Sequence, residues 1–180
     1  MNDRRPLNWN ALAERLDLPR PSSTHKTDAG RRVDRLIPRL PASACDIEIT
    51  LALLTAASSG TLRHRLTEIH TLHTQSRQAL GAEAKSPALS TGRFALAARR
   101  ARAASAESAQ SLDNLAARSR RAIALALAET PDTELDRHAV VDGLRQLFEK
   151  GRLPGDRVES ILVDLAGNVA SVDPDAERGE

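Results

Sequence analysis

Aromatic side chains are almost missing from this sequence. Trp9, Phe94 and Phe148 are the only three among 180 residues, and there is no Tyr. Sandwiches and barrels draw on aromatic and β-branched residues to cover their pleated faces, so this supply argues against a sheet protein. The same shortage argues against nucleic-acid binding by base stacking, which needs aromatic platforms. Cys45 is the single cysteine. One thiol allows no intrachain disulfide and no cysteine zinc cluster within one chain. Long apolar runs are missing too. The longest lie around Leu51–Ala57 and Ala122–Ala128, far short of the ~20 residues that a membrane-spanning helix needs. Met1–Pro6 lead into no apolar signal core. The expected setting is a reducing cytoplasm, with no membrane association.

Ala, Leu, Arg, Glu and Gln dominate what is present, and all are good helix formers. An Ala- and Leu-rich core lets helices approach closely, but each Ala buries little area. Such a core is thin, so a homo-oligomer or a subunit of a larger complex is expected. The net charge of +2 conceals a division. Residues 1–40 carry a net +4 and residues 41–60 a net −2. Residues 61–125 hold eleven basic and four acidic side chains, and residues 126–180 six basic and thirteen acidic. Nearly all the positive charge is Arg, whose planar fork fits phosphate and carboxylate; the Arg bias is also what a GC-rich genome produces.

Periodicity and breakers predict an all-α protein. Five to six helices form a bundle with one long Ala/Arg-rich central helix and a flexible N-terminal arm. The arm, 1–28, holds a short helix with Trp9, Leu12 and Leu16 on one side, capped by Asn8 or Asn10, and a Pro/Ser linker. The bundle spans 29–170, basic over 61–125, with an acidic helical hairpin at 132–170. Val33, Leu36, Ile37 and Leu40 form its first apolar stripe. Ser43-Ala44-Cys45-Asp46 fits a capping box with Asp in place of Glu, opening a helix that stops near Gly60. Thr61 starts the next, and Gly81 ends it before a loop at 82–90. Asp132 or Thr133 can cap the helix striped by Leu135, Val140, Leu144, Leu147 and Phe148. Asp156-Arg157-Val158-Glu159 is a second capping-box pattern. The acidic tail, 171–180, lacks an apolar pattern and is expected to be disordered.

Few motifs suggest chemistry. Leu12–Leu18 resembles the first half of a helix-turn-helix, but Pro21 and Ser23 spoil the second half, leaving a short docking helix on a tether. His70 and His73 share a helix face and can reach one metal, yet the nearest carboxylate in sequence is Glu68 and no H-E-x-x-H spacing occurs. Cys45 begins an apolar helix, where a thiol can be activated or can serve as a small core residue. Asp132, Glu134 and Asp136 suit a helix start, where negative charge meets the dipole. There is no G-x-S-x-G turn, phosphate loop or dinucleotide fingerprint. Leu144–Glu159 loosely resembles an EF-hand in outline, but its turn lacks the alternating oxygens that calcium needs. No catalytic residue, cofactor or metal is therefore assigned, and an enzyme is not expected.

The best candidate is the long helix, from about Gly92 to Ala128. With Phe94 at zero and about 100° per residue, Ala97, Ala98, Ala101, Ala104, Leu112, Leu115, Ala116, Ala122 and Ile123 fall within roughly 80° of it. Arg93, Arg99, Arg100, Arg102, Arg118, Arg120 and Arg121 all fall on the other side, between roughly 80° and 260°. This pattern gives one dry face and one cationic face. The cationic face either keeps the bundle soluble, lies along phosphates, or meets an acidic protein surface such as the chain's own C-terminal segment. The expected function is a non-catalytic helical subunit of a bacterial nucleoprotein complex that grips RNA or DNA backbone without base readout. The profile is similar to that of the small all-helical subunits of CRISPR effectors, a likeness of architecture alone. The alternative is a helical protein-interaction scaffold, adaptor or chaperone that oligomerises and binds no nucleic acid.

Overall fold

The computed structural model describes residues 7–19, 27–85 and 94–170, with side chains described over 7–19, 27–81 and 109–166. The described chain is all-helical. Its seven α-helices are α1 (Trp9–Arg15), α2 (Asp28–Leu36), α3 (Asp46–Ala57), α4 (Gly60–Lys85), α5 (Phe94–Glu129), α6 (Arg137–Glu149) and α7 (Gly155–Ala170). Short 3-10 turns occupy Ile37–Arg39 and Asp132–Glu134. No strand forms among the described residues, only an isolated antiparallel bridge between Ser58 and Leu135. No helix among them is long and apolar enough to cross a membrane.

The organising element is α3. Ile47, Ile49, Thr50, Leu51, Ala52, Leu53, Leu54 and Ala57 are all buried. A helix that is apolar all round has to be enclosed, and α2, α4, α5, α6 and α7 all pack on it. The longest helix, the 36-residue α5, lies against α4, α7 and α3. Its inner row is Leu115, Ser119, Ile123 and Ala126, all buried. That row has the spacing of one helix face. Leu112, expected on the same dry face, is instead exposed. The arm helix α1 docks through Leu12 and Ala13, both buried. Trp9 meets Phe148 of α6 edge-on, with ring centroids 6.2 Å apart. The second half of the helix-turn-helix pattern, residues 20–26, lies outside the described residues, as does the tail at 171–180.

Several helix boundaries differ from the sequence expectation. Asn8 does cap α1, accepting from the Ala11 amide at 3.1 Å. At α3 the capping box is Cys45 and Glu48, not Ser43 and Asp46. The Cys45 amide donates to Glu48 Oε2 at 3.1 Å, and the Cys45 side chain faces the amide of Glu48 in return. The N-terminus of α4 is closed from a distance of 72 residues, where the Leu62 amide donates to Glu134 Oε2 at 2.7 Å. Gly81 does not end α4, because it keeps helical backbone and the helix continues to Lys85. Residues 132–134 form the 3-10 turn, and Asp136 caps α6 by accepting from the Ala139 amide at 3.1 Å. Asp156 falls in the first turn of α7 rather than at its cap.

Arginines fasten the helices together. Arg32 Nε and Nη2 donate to the carbonyls of Ala56 and Ser58, and Arg152 donates to those of Ile37 and Leu40. Arg157 reaches Asp46 and the Ala44 carbonyl, tying α7 to the start of α3. Carbonyls at helix ends have no intrahelical donors, and Arg presents five N–H donors in a fixed fork. Part of the Arg enrichment is thereby explained by the fold itself.

Candidate functional site

Two places concentrate chemistry-bearing side chains. The first is the outer side of α5. Arg118 and Arg121 are exposed there, and neither has an ion pair among the described residues. Arg120 turns toward α7, where its Nε donates to Asp164 Oδ2 at 3.0 Å. One of the seven predicted arginines thus meets the acidic C-terminal segment. Arg99, Arg100 and Arg102 lie within the helical backbone of α5, but their side chains are outside the described residues. Arg93 lies outside the described residues altogether. The face also carries an apolar residue. Leu125 is 54% exposed and lies within roughly 40° of both Arg118 and Arg121 around the helix axis.

The second place joins α3 and α4, and sequence spacing did not reveal it. Cys45 Sγ, a Glu48 carboxylate oxygen and a ring nitrogen of His73 lie within 4.8 Å of one another. Cys45 stands at the cap of α3 and Glu48 one turn inside it, as the capping box requires. The apolar register of α4 turns His73 inward against α5. His73 is only 4% exposed, and its Nδ1 is 2.8 Å from Ser119 Oγ. Its Nε2 is buried without a hydrogen-bond partner. Glu48 Oε1 accepts from Arg77, one turn further along α4. Glu68, the expected companion of the His pair, instead reaches His64 at 3.4 Å. The only signals in the sequence were the lone Cys45 at a helix start and the inward register of His73. Nothing local linked His73 to Cys45 and Glu48.

The electrostatics follow from burial. Burial of Glu48 pushes its carboxyl up, but hydrogen bonds from Arg77 and the Cys45 amide, together with the nearby Arg77 and His73 charges, hold it below the usual range. Burial holds His73 below the ordinary imidazole value; Glu48 opposes that, while Arg77 and His70 reinforce it. His70, a turn earlier on α4, is lowered by burial against the opposing pull of Glu48. Arg77 is raised by its hydrogen bond to Glu48. The arrangement brings an imidazole, a carboxyl and a sulfur around one point.

The carboxylates expected at a helix start have structural partners. Asp132 pairs with Arg137 at 3.3 Å, Glu134 closes α4, and Asp136 caps α6 while accepting from the Thr27 hydroxyl at 2.6 Å. Comparison with known proteins finds no matching family model, no matching curated protein and no matching solved structure.

Proposed function

We propose that this chain is a non-catalytic helical subunit of a bacterial nucleoprotein complex, gripping RNA or DNA backbone along the outer face of α5. The observation that carries the reading is the pair Arg118 and Arg121, exposed and without an ion pair among the described residues, on a face whose helical register also includes position 100. Guanidinium groups on one helix face suit successive phosphates, and such contacts bring no base information. The reading adds Arg93, Arg99, Arg100 and Arg102 as further contacts, position 102 sharing the register of Arg120 rather than that of Arg118.

The test is an anisotropy titration with single- and double-stranded RNA and DNA across a salt series. Binding should weaken steeply with salt and vary little with sequence. Replacing Arg99, Arg100 and Arg102 with Ala should lower affinity and flatten the logarithmic salt slope by up to about 3. Absence of binding by the wild type at low salt ends the reading.

A second reading is favoured by a different observation. Leu72, Leu125 and Val163 are large apolar side chains at least half exposed, and Leu125 shares the Arg face. A mixed Leu and Arg surface suits an acidic protein surface or a second copy of the chain more than a bare phosphate backbone. On this scaffold reading, Leu125→Glu lowers the sedimenting mass or releases a partner, and no nucleic acid binds at physiological salt.

A further inference from the structure

We propose that Cys45, Glu48 and His73 form a binding site for a divalent transition-metal ion of the zinc class. This proposal is independent of the α5 reading. Three donor types of suitable softness meet at one point: thiol sulfur, imidazole nitrogen and carboxylate oxygen, all within 4.8 Å of one another. Zinc accepts this mixture in three-ligand sites that keep a fourth position open. Ligands at ordinary zinc bond lengths and tetrahedral angles stand roughly 3.3–3.6 Å apart. Closing from the observed spacing takes an ångström or so, within reach of side-chain rotation at Cys45 and Glu48.

The independent observation is His73. A buried imidazole normally uses both nitrogens. Here Nδ1 lies 2.8 Å from Ser119 Oγ while Nε2, in a side chain only 4% exposed, has no partner. With the proton on Nδ1 and donated to Ser119 Oγ, Nε2 presents a bare lone pair. That is the usual outer support of a metal-binding histidine. In that tautomer Nε2 carries no proton to displace. Cys45 gives up its thiol proton to solvent as the metal binds. Glu48 is already ionised, and each of its oxygens keeps a lone pair beyond the bonds to Arg77 and the Cys45 amide. Water fills the fourth position.

Arg77 provides a distinguishing feature. Its guanidinium now neutralises Glu48 from a side chain that is more than a third exposed. A dication takes over that role, so the two compete for one carboxylate. Removing the guanidinium should therefore tighten metal binding, whereas removing a ligand should weaken it.

The experiment titrates the tag-free protein with Co2+ and with Zn2+, and then adds Zn2+ to the Co2+-loaded protein. Co2+ should produce a thiolate-to-cobalt charge-transfer band and d–d bands of tetrahedral intensity, and Zn2+ should bleach both. Cys45→Ser keeps a good helix cap, so its fold is retained. It should lose the charge-transfer band and at least about tenfold in affinity. Ser119→Ala should weaken binding about tenfold through loss of His73 support. Arg77→Gln should tighten it about tenfold. Zn2+ should protect Cys45 from alkylation by iodoacetamide. A wild type without the charge-transfer band, a Cys45→Ser protein that binds Zn2+ as tightly as wild type, or a thiol alkylated at the same rate in excess Zn2+ each overturns the proposal.

Discussion

The same substitution, Gly to Ala, should have opposite effects at two positions of this fold. Both Gly81 and Gly143 sit within helices, in α4 and α6, with backbone conformations open to Ala. In a helix interior, Ala is favoured over Gly by about 1 kcal/mol. At Gly81 an added Cβ meets nothing within 4 Å, so Gly81→Ala should stabilise by about 0.5–1 kcal/mol. At Gly143 the Cβ would stand 2.7 Å from Val33 Cγ1 and 2.8 Å from Leu53 Cδ2. Both neighbours are fully buried, at 1% and 0% exposure, and belong to helices that pack tightly on α6. Overpacking of this kind costs about 1–3 kcal/mol. After the propensity gain, Gly143→Ala should destabilise by up to about 2 kcal/mol, leaving the two variants roughly 1–3 kcal/mol apart. Urea unfolding followed by circular dichroism and by Trp9 fluorescence measures both, with an unchanged denaturant slope as the check on two-state behaviour. Two variants of equal stability would refute the close approach of α2 and α3 to α6, and with it the packing around α3.

Glu134→Ala should destabilise by about 1–2 kcal/mol, because the Leu62 amide at the start of α4 loses its carboxylate acceptor. Glu134→Gln should recover part of this, and an effect below about 0.3 kcal/mol in the same urea assay would rule out the long-range cap. Acid should also destabilise the protein. Burial holds the folded His70 and His73 below the ordinary imidazole value of about 6.5, so the unfolded chain binds more protons as pH falls beneath that value. Their contribution is complete above pH ~6.5 and is lost as pH drops through the folded values. Glu48, also lowered, adds a loss in the same direction below pH ~4.5. Urea midpoints that stay level from pH 8 to pH 5 in the absence of metal would contradict this sign.

The helical class was legible because it depends on composition and local pattern. Strong helix formers, few aromatics and apolar residues at 3.6-residue spacing act within single segments, and α5 emerges from that information with little proline or glycine to interrupt it. The inward positions Leu115 and Ile123 and the outward positions Arg118 and Arg121 were equally readable, since one helical register determines both. Caps were read less well. Asn8 was one of two caps the sequence offered for α1, with its partner three residues away, but Glu134 closes α4 across 72 residues, and only tertiary packing brings such a partner into reach. The same limit applied to chemistry. His73 was visible as a histidine at the margin of an apolar stripe, and Cys45 as a thiol at a helix start, but Glu48 lay 25 positions from His73 with no motif between them. The crossing of α3 and α4 placed the three around one point, while packing of α5 supplied Ser119. Arg120 shows the reverse case: a residue on the cationic side by register that the position of α7 draws into an ion pair with Asp164. Local free energies along the chain determine where helices form and which faces are apolar. Which polar side chains meet depends on how those faces pack together, and that is decided only when the core closes around α3.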